Sequence, residues 1–160
     1  EQGKVRYIGI TGYPPELLRE VAEVGEVDVV LSYCHYSLLN TRLEAVLEPF
    51  ARERGVGLIN ASPLHMGVLT GVAPRWRPAS AEVLRAGREA SAWRAEEGLD
   101  IADLTLRFAL QKRTIASTLV GMRPEAEARA NLRALEGAPD QEALAAVRET
   151  LVPAKDLEWV

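Results

Sequence analysis

The sequence has one cysteine, no excess of basic charge and no long apolar run, and each of these absences excludes a class of protein. Because Cys34 stands alone, no internal disulfide is expected, and a reducing cytoplasm is the predicted location. Acidic residues outnumber basic ones, 23 to 19, so no Lys/Arg stripe can neutralise phosphates. Neither nucleic acid nor a membrane is therefore an expected partner. No signal peptide is recognisable either.

Common catalytic motifs are also missing. Neither G-x-G-x-x-G nor a Walker A sequence occurs. His35, His65 and Cys34 are too few and too irregularly spaced for a metal site, so the histidines are interpreted as loop or packing residues. Cys34 and His35 are adjacent and should point in opposite directions on an extended chain, which argues against a nucleophilic dyad.

The composition is that of an ordinary globular domain. Of 160 residues, 48% are apolar and 26% are charged, which is enough for one domain with a core. The sequence does not begin with Met and enters a strand-like stretch almost at once. We expect from this that it belongs to a longer protein, with a trimmed tag or a processed terminus as the other explanation.

Apolar runs alternate with amphipathic helical patterns along the chain. This alternation predicts a parallel sheet with right-handed crossovers. The predicted strands are Val5–Thr11, Val27–Tyr33, Val56–Ala61 and Thr114–Val120, and the predicted helix starts are Pro14, Thr41, Ser80, Asp100, Pro124 and Asp140. Such a sheet could be small and doubly wound, or half of an eight-stranded barrel, which normally needs about 250 residues. Periodicity leaves both open.

Several local features give sharper expectations. Leu17, Leu18, Val21 and Val24 predict the apolar face of the first helix, and the second strand should be buried on both faces. Thr41 and Glu44 have the spacing of a capping box, and Pro49 should kink or shorten the helix that follows. The segment 68–79, with Arg75-Trp76-Arg77, predicts an excursion over the surface or across a site mouth.

Functional groups are expected where the strands end, because both architectures place sites there. The third strand runs into a Gly-rich loop ending at Gly71, an arrangement that presents backbone N–H groups to anions. The fourth is followed by Gly121-Met-Arg-Pro-Glu125 and a helix containing Asn131. That turn could bind an anion at the helix N-terminus, or could be an ordinary strand-to-helix turn.

Four segments resemble successive parts of the aldo-keto reductase family. Gly3–Gly12 is similar to that family's fifth strand, and Tyr36–Asn40 to the stretch after its sixth. Ser62-Pro-Leu64 with Gly67–Gly71 resembles the seventh-strand loop, and Val120–Asn131 the eighth strand and its helix. The resemblance covers nearly the whole chain in order. The residues over 31–40 and 59–71 look most like those of the branch that oxidises L-galactose or L-fucose.

This resemblance implies an α/β fold in which residues 1–160 form the C-terminal half, strands five to eight, of a (β/α)8 barrel, with no second domain. It implies an enzyme that oxidises an aldose at C1 to a lactone and passes hydride to NAD(P) without a Rossmann domain. The family's catalytic Asp, Tyr, Lys and His lie on the first four strands. No catalytic residue is therefore expected in this chain, and it should be inactive alone.

The resemblance also implies cofactor contacts, residue by residue. Thr11 and Tyr33 match positions that hold the carboxamide of the nicotinamide, although Tyr33 stands where a Gln is common. Ala61 stands where many members stack a Tyr on the nicotinamide ring. The loop over the pyrophosphate would be formed by Ser62, Pro63 and Leu64.

The adenosine end is matched by residues around the last strand. Gly121 replaces a common Lys, Glu127 replaces an Arg that binds the 2′-phosphate, and Asn131 matches an adenine contact. A carboxylate at Glu127 would repel a 2′-phosphate but accept a bond from a ribose hydroxyl. NAD is therefore expected over NADP, although Arg123 could still reach a phosphate and leaves NADP open.

A different class of function remains as the alternative. The chain could be a non-catalytic α/β module that binds a nucleotide or phosphate and pairs with another half-barrel. Half a barrel has two open sheet edges and an uncovered apolar interior, both of which favour self-association. For the enzyme, the partner is a small sugar, which cannot be specified because much of its pocket would lie in the other half and in loop 72–79.

Overall fold

A computed structural model describes residues 3–72, 79–96 and 98–158 of the chain. It contains one sheet with four parallel strands in the order β1-β2-β3-β4. The strands are β1 (Gly9–Gly12), β2 (Val29–Tyr33), β3 (Gly57–Ala61) and β4 (Ser117–Leu119). All four lie within the predicted runs, or extend one by a residue, but are shorter. Arg75-Trp76-Arg77 lie outside the described residues.

The strand order distinguishes the two predicted architectures. Each strand pairs with the next one along the chain, so Thr11 lies beside Leu31, Leu31 beside Ile59, and Ile59 beside Ser117. A doubly wound sheet reverses direction at a switch point, whereas a barrel adds its strands in sequence. The α/β class is confirmed, and the sheet is consistent with part of a barrel.

Six α-helices follow the predicted order. They are α1 (Pro15–Val24), α2 (Glu48–Arg54), α3 (Ala81–Glu96), α4 (Ile101–Leu110), α5 (Glu125–Arg133) and α6 (Gln141–Leu151). Three predicted N-terminal caps are present. The side chain of Asp100 accepts a hydrogen bond from Ala102 N at 2.8 Å, that of Asp140 from Glu142 N at 3.0 Å, and that of Ser80 from Val83 N at 3.2 Å.

The predicted capping box at Thr41 and Glu44 is wrong. The C-terminal segment occupies this position instead: Asp156 Oδ1 accepts from Thr41 N at 2.6 Å, and Lys155 Nζ donates to Thr41 Oγ1 at 2.7 Å. Glu44 pairs with Lys112 at 2.6 Å. The irregularity expected at Pro49 is present, because a π-helical turn over Leu43–Leu47 precedes α2 and Pro49 lies in the first turn of α2.

Of the four residues predicted for the apolar face of α1, only Leu18 is buried. Leu18 and Ala22 are buried, whereas Leu17, Val21 and Val24 are 53%, 43% and 89% exposed. Helical periodicity allows either orientation when apolar residues surround much of the helix. The helix packs on β1, on β2 and on the π-helical turn.

One face of the sheet is covered by helices, and the other is open. Val30 and Ser32 of β2, like Leu58 and Asn60 of β3, are almost fully buried on the helix side. The alternate residues, Leu31, Tyr33 and Ile59 among them, are only half-buried. The expectation that β2 is buried on both faces is therefore wrong for this chain, since the described residues cover one face.

Helix α3 packs unusually closely on the segment that follows β3. This segment, Leu64 to Gly71, contains a 3-10 stretch over His65–Thr70. A Cβ atom built on Gly87 would stand 2.5 Å from Val68 Cγ1 and 2.6 Å from Val68 O. The absence of a side chain at Gly87 therefore sets the distance between α3 and this segment.

Gly87→Ala should lower the free energy of unfolding by about 1–3 kcal/mol, because the new methyl group overpacks a buried contact. Helix propensity alone would predict the opposite sign, a gain of about 1 kcal/mol. Urea denaturation of the protein measures the difference. Arg88→Ala, on the exposed side of the same turn, is the control and should change stability little. A stabilised Gly87→Ala variant would contradict this packing.

Candidate functional site

A cavity of about 580 Å³ lies at the carboxyl ends of β2, β3 and β4. It opens on the edge of the sheet where the sequence predicted function. Strand ends and the loops that follow them form its wall, which is mostly apolar. Its lining residues are Tyr33, Ala61, Ser62, Pro63, Leu64, Met66, Gly67, Leu119, Val120 and Gly121.

The structure brings five of the nine predicted cofactor residues to this cavity: Tyr33, Ser62, Pro63, Leu64 and Gly121. The other four lie elsewhere. Thr11 is exposed at the end of β1 and does not line the cavity. Asn131 lines a separate apolar groove of about 300 Å³ between α4, β4 and α5, and this groove shares Val120 with the cavity.

Sequence reasoning missed four lining residues: Met66, Gly67, Leu119 and Val120. Met66 and Gly67 belong to the Gly-rich loop that the sequence singled out, but their backbone conformation carries no sequence signal strong enough to predict. Leu119 lies at the end of β4 and is 47% exposed, which places an aliphatic surface at the cavity wall. Val120 follows it directly.

The cavity rim is built from backbone in an uncommon conformation. Cys34 and Ser62 directly follow β2 and β3 with φ of 66° and 62°, in the left-handed region that non-glycine residues rarely occupy. Hydrogen bonds hold both positions: Cys34 N donates to Ala61 O at 2.9 Å, and Ser62 N donates to Leu119 O at 3.0 Å. Such residues cost free energy and cluster at functional sites.

Ser62 has a hydroxyl proton that can be donated into the cavity. Its Oγ accepts a hydrogen bond from Met66 N at 2.9 Å, and its carbonyl oxygen accepts one from His65 N at 2.9 Å. A hydroxyl has one proton to donate besides its lone pairs. The loop therefore holds the Ser62 side chain at the cavity with one proton left to donate.

A side-chain hydrogen bond closes the turn before α5. Glu127 Oε2 accepts a hydrogen bond from Arg123 N at 2.9 Å, while Glu125 pairs with Arg129 at 2.5 Å. Acidic groups at this position stabilise a helix N-terminus. Arg123 and Glu127 are both exposed and neither lines the cavity. The carboxylate at Glu127 occupies part of the site that an anion would otherwise use.

A buried polar pair lies behind the cavity wall. The Nδ1 atom of His65 is 3.1 Å from Ser37 Oγ, and both residues are almost fully buried. Burial, together with the nearby His35 and Lys155, lowers the pKa of His65 to about 3. Ser32 Oγ is 3.2 Å from His35 Nδ1, and the His35 ring contacts Tyr13. The sequence interpreted both histidines as loop or packing residues, and both are buried in the structure.

In the ranges 3–72, 79–96 and 98–158, no three His, Cys, Asp or Glu side chains come together as a metal site would require. No helix in the same ranges has the length and apolarity needed to cross a membrane.

A cavity at the carboxyl ends of parallel strands added in sequence is the arrangement of (β/α)-barrel proteins. The model of the Aldo/keto reductase family matches residues 1–151. This chain belongs to the aldo/keto reductase family.

Individual relatives agree with this assignment. L-galactose dehydrogenase of Arabidopsis thaliana is 40% identical over 99% of this chain and 52% of its own length. D-arabinose 1-dehydrogenase of Saccharomyces cerevisiae is 31% identical over 69% of this chain and 36% of its own. The chain thus spans about half the length, or less, of these curated relatives.

Similarity to a solved structure shows the fold. An aldo-keto reductase from Bacillus halodurans, in its holo form, superposes on 98% of this chain with a TM-score of 0.65 and 21% identity. The match covers 52% of that structure. The four strands and their helices therefore form part of a TIM-barrel fold.

Stability should fall with acid because of His65. An unfolded histidine has a pKa near 6.5, so between pH 6.5 and 3 the unfolded chain binds a proton that the folded chain excludes. The free energy of unfolding should therefore drop as pH falls through this window, by up to about 1.4 kcal/mol per pH unit from this group. Urea denaturation of wild type and His65→Asn between pH 7 and 4 isolates the contribution. Parallel pH profiles would refute it.

Proposed function

We propose that residues 1–160 are the C-terminal, cofactor-binding half of an NAD(P)-dependent aldo-keto reductase that oxidises an aldose at C1 to a lactone. In this proposal the described strands are the fifth to eighth of a (β/α)8 barrel, and the catalytic tetrad lies on the first four. The observation that carries it is the cavity in which Ser62, Pro63 and Leu64 meet Tyr33 and Gly121 at the strand ends.

The donor set of this cavity fits a dinucleotide. Ser62 offers a hydroxyl proton to a pyrophosphate oxygen, while Ala61, Leu64 and Leu119 supply apolar surface. The half-buried Tyr33 provides a phenol at the end of β2. When bound, the nicotinamide accepts the hydride removed from the sugar. The role of these residues is to bind and orient it, with Thr11 added from the neighbouring strand.

The described residues that line the cavity include no His, Lys, Asp or Glu, which supports placing the catalytic groups elsewhere. Tyr36 and His35 follow β2 but are almost fully buried on the helix side. The Tyr36 ring stacks on Phe108 at 5.2 Å, and burial raises the pKa of its phenol. Because the Tyr36 phenol is buried on the helix side, it cannot reach a substrate in the cavity. The chain alone should therefore be inactive.

Names of relatives support the substrate class. Two matched proteins are named as dehydrogenases of L-galactose and of D-arabinose, the latter at C1. An E. coli relative, 35% identical over 46% of this chain, is named an NADH-specific methylglyoxal reductase. These names support a sugar substrate and are compatible with NAD, with NADP as the second candidate. The solitary buried Cys34 supports a reducing cytoplasm.

The alternative is a non-catalytic module that binds a nucleotide or phosphate and self-associates. The observation that favours it is exposed apolar surface next to β4: Met122, Leu132 and Leu135 are 46%, 62% and 63% exposed. Surfaces of this kind mark contacts with another chain or another segment. The coding sequence upstream of Glu1 separates the two proposals. A Tyr, a Lys and a His at successive strand ends would support the enzyme, and a start codon just before Glu1 would support the module.

Ser62→Ala should weaken dinucleotide binding by about five- to tenfold, since it removes one hydrogen bond to the pyrophosphate. Fluorescence titration of the full-length gene product with NADH measures the dissociation constant. Ser117→Ala, at the start of β4 away from the cavity, is the matched control and should bind normally. Equal affinities in the two variants would remove Ser62 from the site.

Glu127→Gln should shift the preference of the gene product toward NADP by about fivefold, because it removes a negative charge near the 2′-phosphate. The amide can still accept the hydrogen bond from Arg123 N. Glu125→Gln lies in the same turn and controls for a general change in charge. The ratio of dissociation constants for NADPH and NADH is measured. A wild-type protein that binds NADPH more tightly than NADH would show that Glu127 does not exclude the phosphate.

A further inference from the structure

The loop that forms the cavity wall contains an uncommon run of backbone conformations. His65, Met66 and Gly67 are consecutive and all have positive φ, at 52°, 54° and 90°. Only Gly67 adopts this region without steric cost. Two side-chain-bearing residues in succession therefore need interactions elsewhere that hold them in place.

The hydrogen bonds around Ser37 define the protonation of the His65 ring. Ser37 Oγ accepts from Leu39 N and Asn40 N, each at 3.2 Å, which uses both of its lone pairs. Its single proton must then be donated, and His65 Nδ1 at 3.1 Å is the acceptor. The ring is consequently neutral, with its proton on Nε2.

This bond joins two loops that are distant in sequence. Ser37 belongs to the loop after β2, and its backbone N also donates to Asn40 O at 2.7 Å, which closes that loop on itself. The segment 152–158 fixes the same loop from outside, since Asp156 N donates to Leu39 O at 2.9 Å. His65 is therefore attached to a rigid, buried support.

We propose that His65 is a positioning residue: as the neutral Nε2–H tautomer it accepts the Ser37 hydroxyl proton and holds the Ser62–Gly67 loop in its left-handed conformation at the cavity wall. The effect reaches Ser62 through two bonds within the loop, His65 N to Ser62 O and Met66 N to Ser62 Oγ, both 2.9 Å. The expected effect of His65 on dinucleotide binding rests on the function proposed above. The role itself does not.

The tautomer is tested on the full-length gene product by long-range ¹H–¹⁵N NMR of its histidine rings. The signal lost in His65→Asn assigns His65. We expect an unprotonated Nδ1 and a protonated Nε2 at pH 7, unchanged down to about pH 5, well above the pKa lowered by burial. A protonated Nδ1, or an imidazolium at pH 7, would overturn the proposal.

Loop positioning is tested by amide hydrogen exchange at Met66 and Gly67. His65→Leu keeps apolar bulk but removes the acceptor, and should speed exchange at Met66 about five- to tenfold, the equivalent of one hydrogen bond. His65→Asn puts an amide oxygen near the position of Nδ1 and should restore slow exchange. Unchanged exchange in His65→Leu refutes the role. If that variant does not fold, Ser37→Ala removes the same bond from the donor side, and unchanged exchange at Met66 there would refute it equally.

Measurements of NADH affinity distinguish the positioning role of His65 from the proposed function. His65→Leu should raise the dissociation constant of the gene product about fivefold, with His65→Asn close to wild type. If the wild-type protein binds no dinucleotide, the proposed function fails while the exchange rates still decide the positioning role. If NADH binds and His65→Leu speeds exchange without changing affinity, the loop is positioned by His65 but does not limit binding.

Discussion

Helices cover one face of the sheet, where Val30 and Leu58 are almost fully buried, and leave the opposite face half-exposed. Parallel strands buried on one side only are unusual, because the crossovers of such sheets normally place structure on both faces. In a closed barrel the second face is the interior, covered by the remaining strands. The face that is open here is therefore the one that the remaining strands of a closed barrel would cover.

The carboxyl edge of this sheet concentrates the features that matter for function. Cys34 and Ser62 leave β2 and β3 in left-handed conformations, and each is held by a hydrogen bond to the neighbouring strand end. The chain thereby turns sharply at the rim and directs loop backbone over the cavity. A rim fixed in this way loses little conformational freedom when a ligand binds, which favours affinity.

Local sequence signals predicted the order of helices and strands and most of the caps, because Asp100, Asp140 and Ser80 act on amides two or three residues away. These signals failed where residues distant in sequence determine the contact. Asp156, a residue 115 positions after Thr41, accepts the hydrogen bond from Thr41 N that was predicted for Glu44. The buried side of α1 depends on the elements that pack against it. The same reasoning explains the site. The cofactor role of Ser62-Pro63-Leu64 was predicted from the resemblance to the family's loop, whereas the bond from Ser37 to His65 spans 28 residues and has no sequence signature.

That long-range bond gives the rim its most specific support. A neutral hydrogen bond contributes about 1 kcal/mol, similar to the cost of one residue held in a strained conformation. His65 and Met66 are two such residues, so the bond needs the additional burial of the ring and of Val68 and Leu69 to hold the loop. Because the bond between Ser37 and His65 lies on the helix side of the loop, the cavity side remains available to a ligand. The Ser62 hydroxyl is its polar group. Contacts on the packed face of the sheet thus stabilise the conformation of the loop at its carboxyl edge.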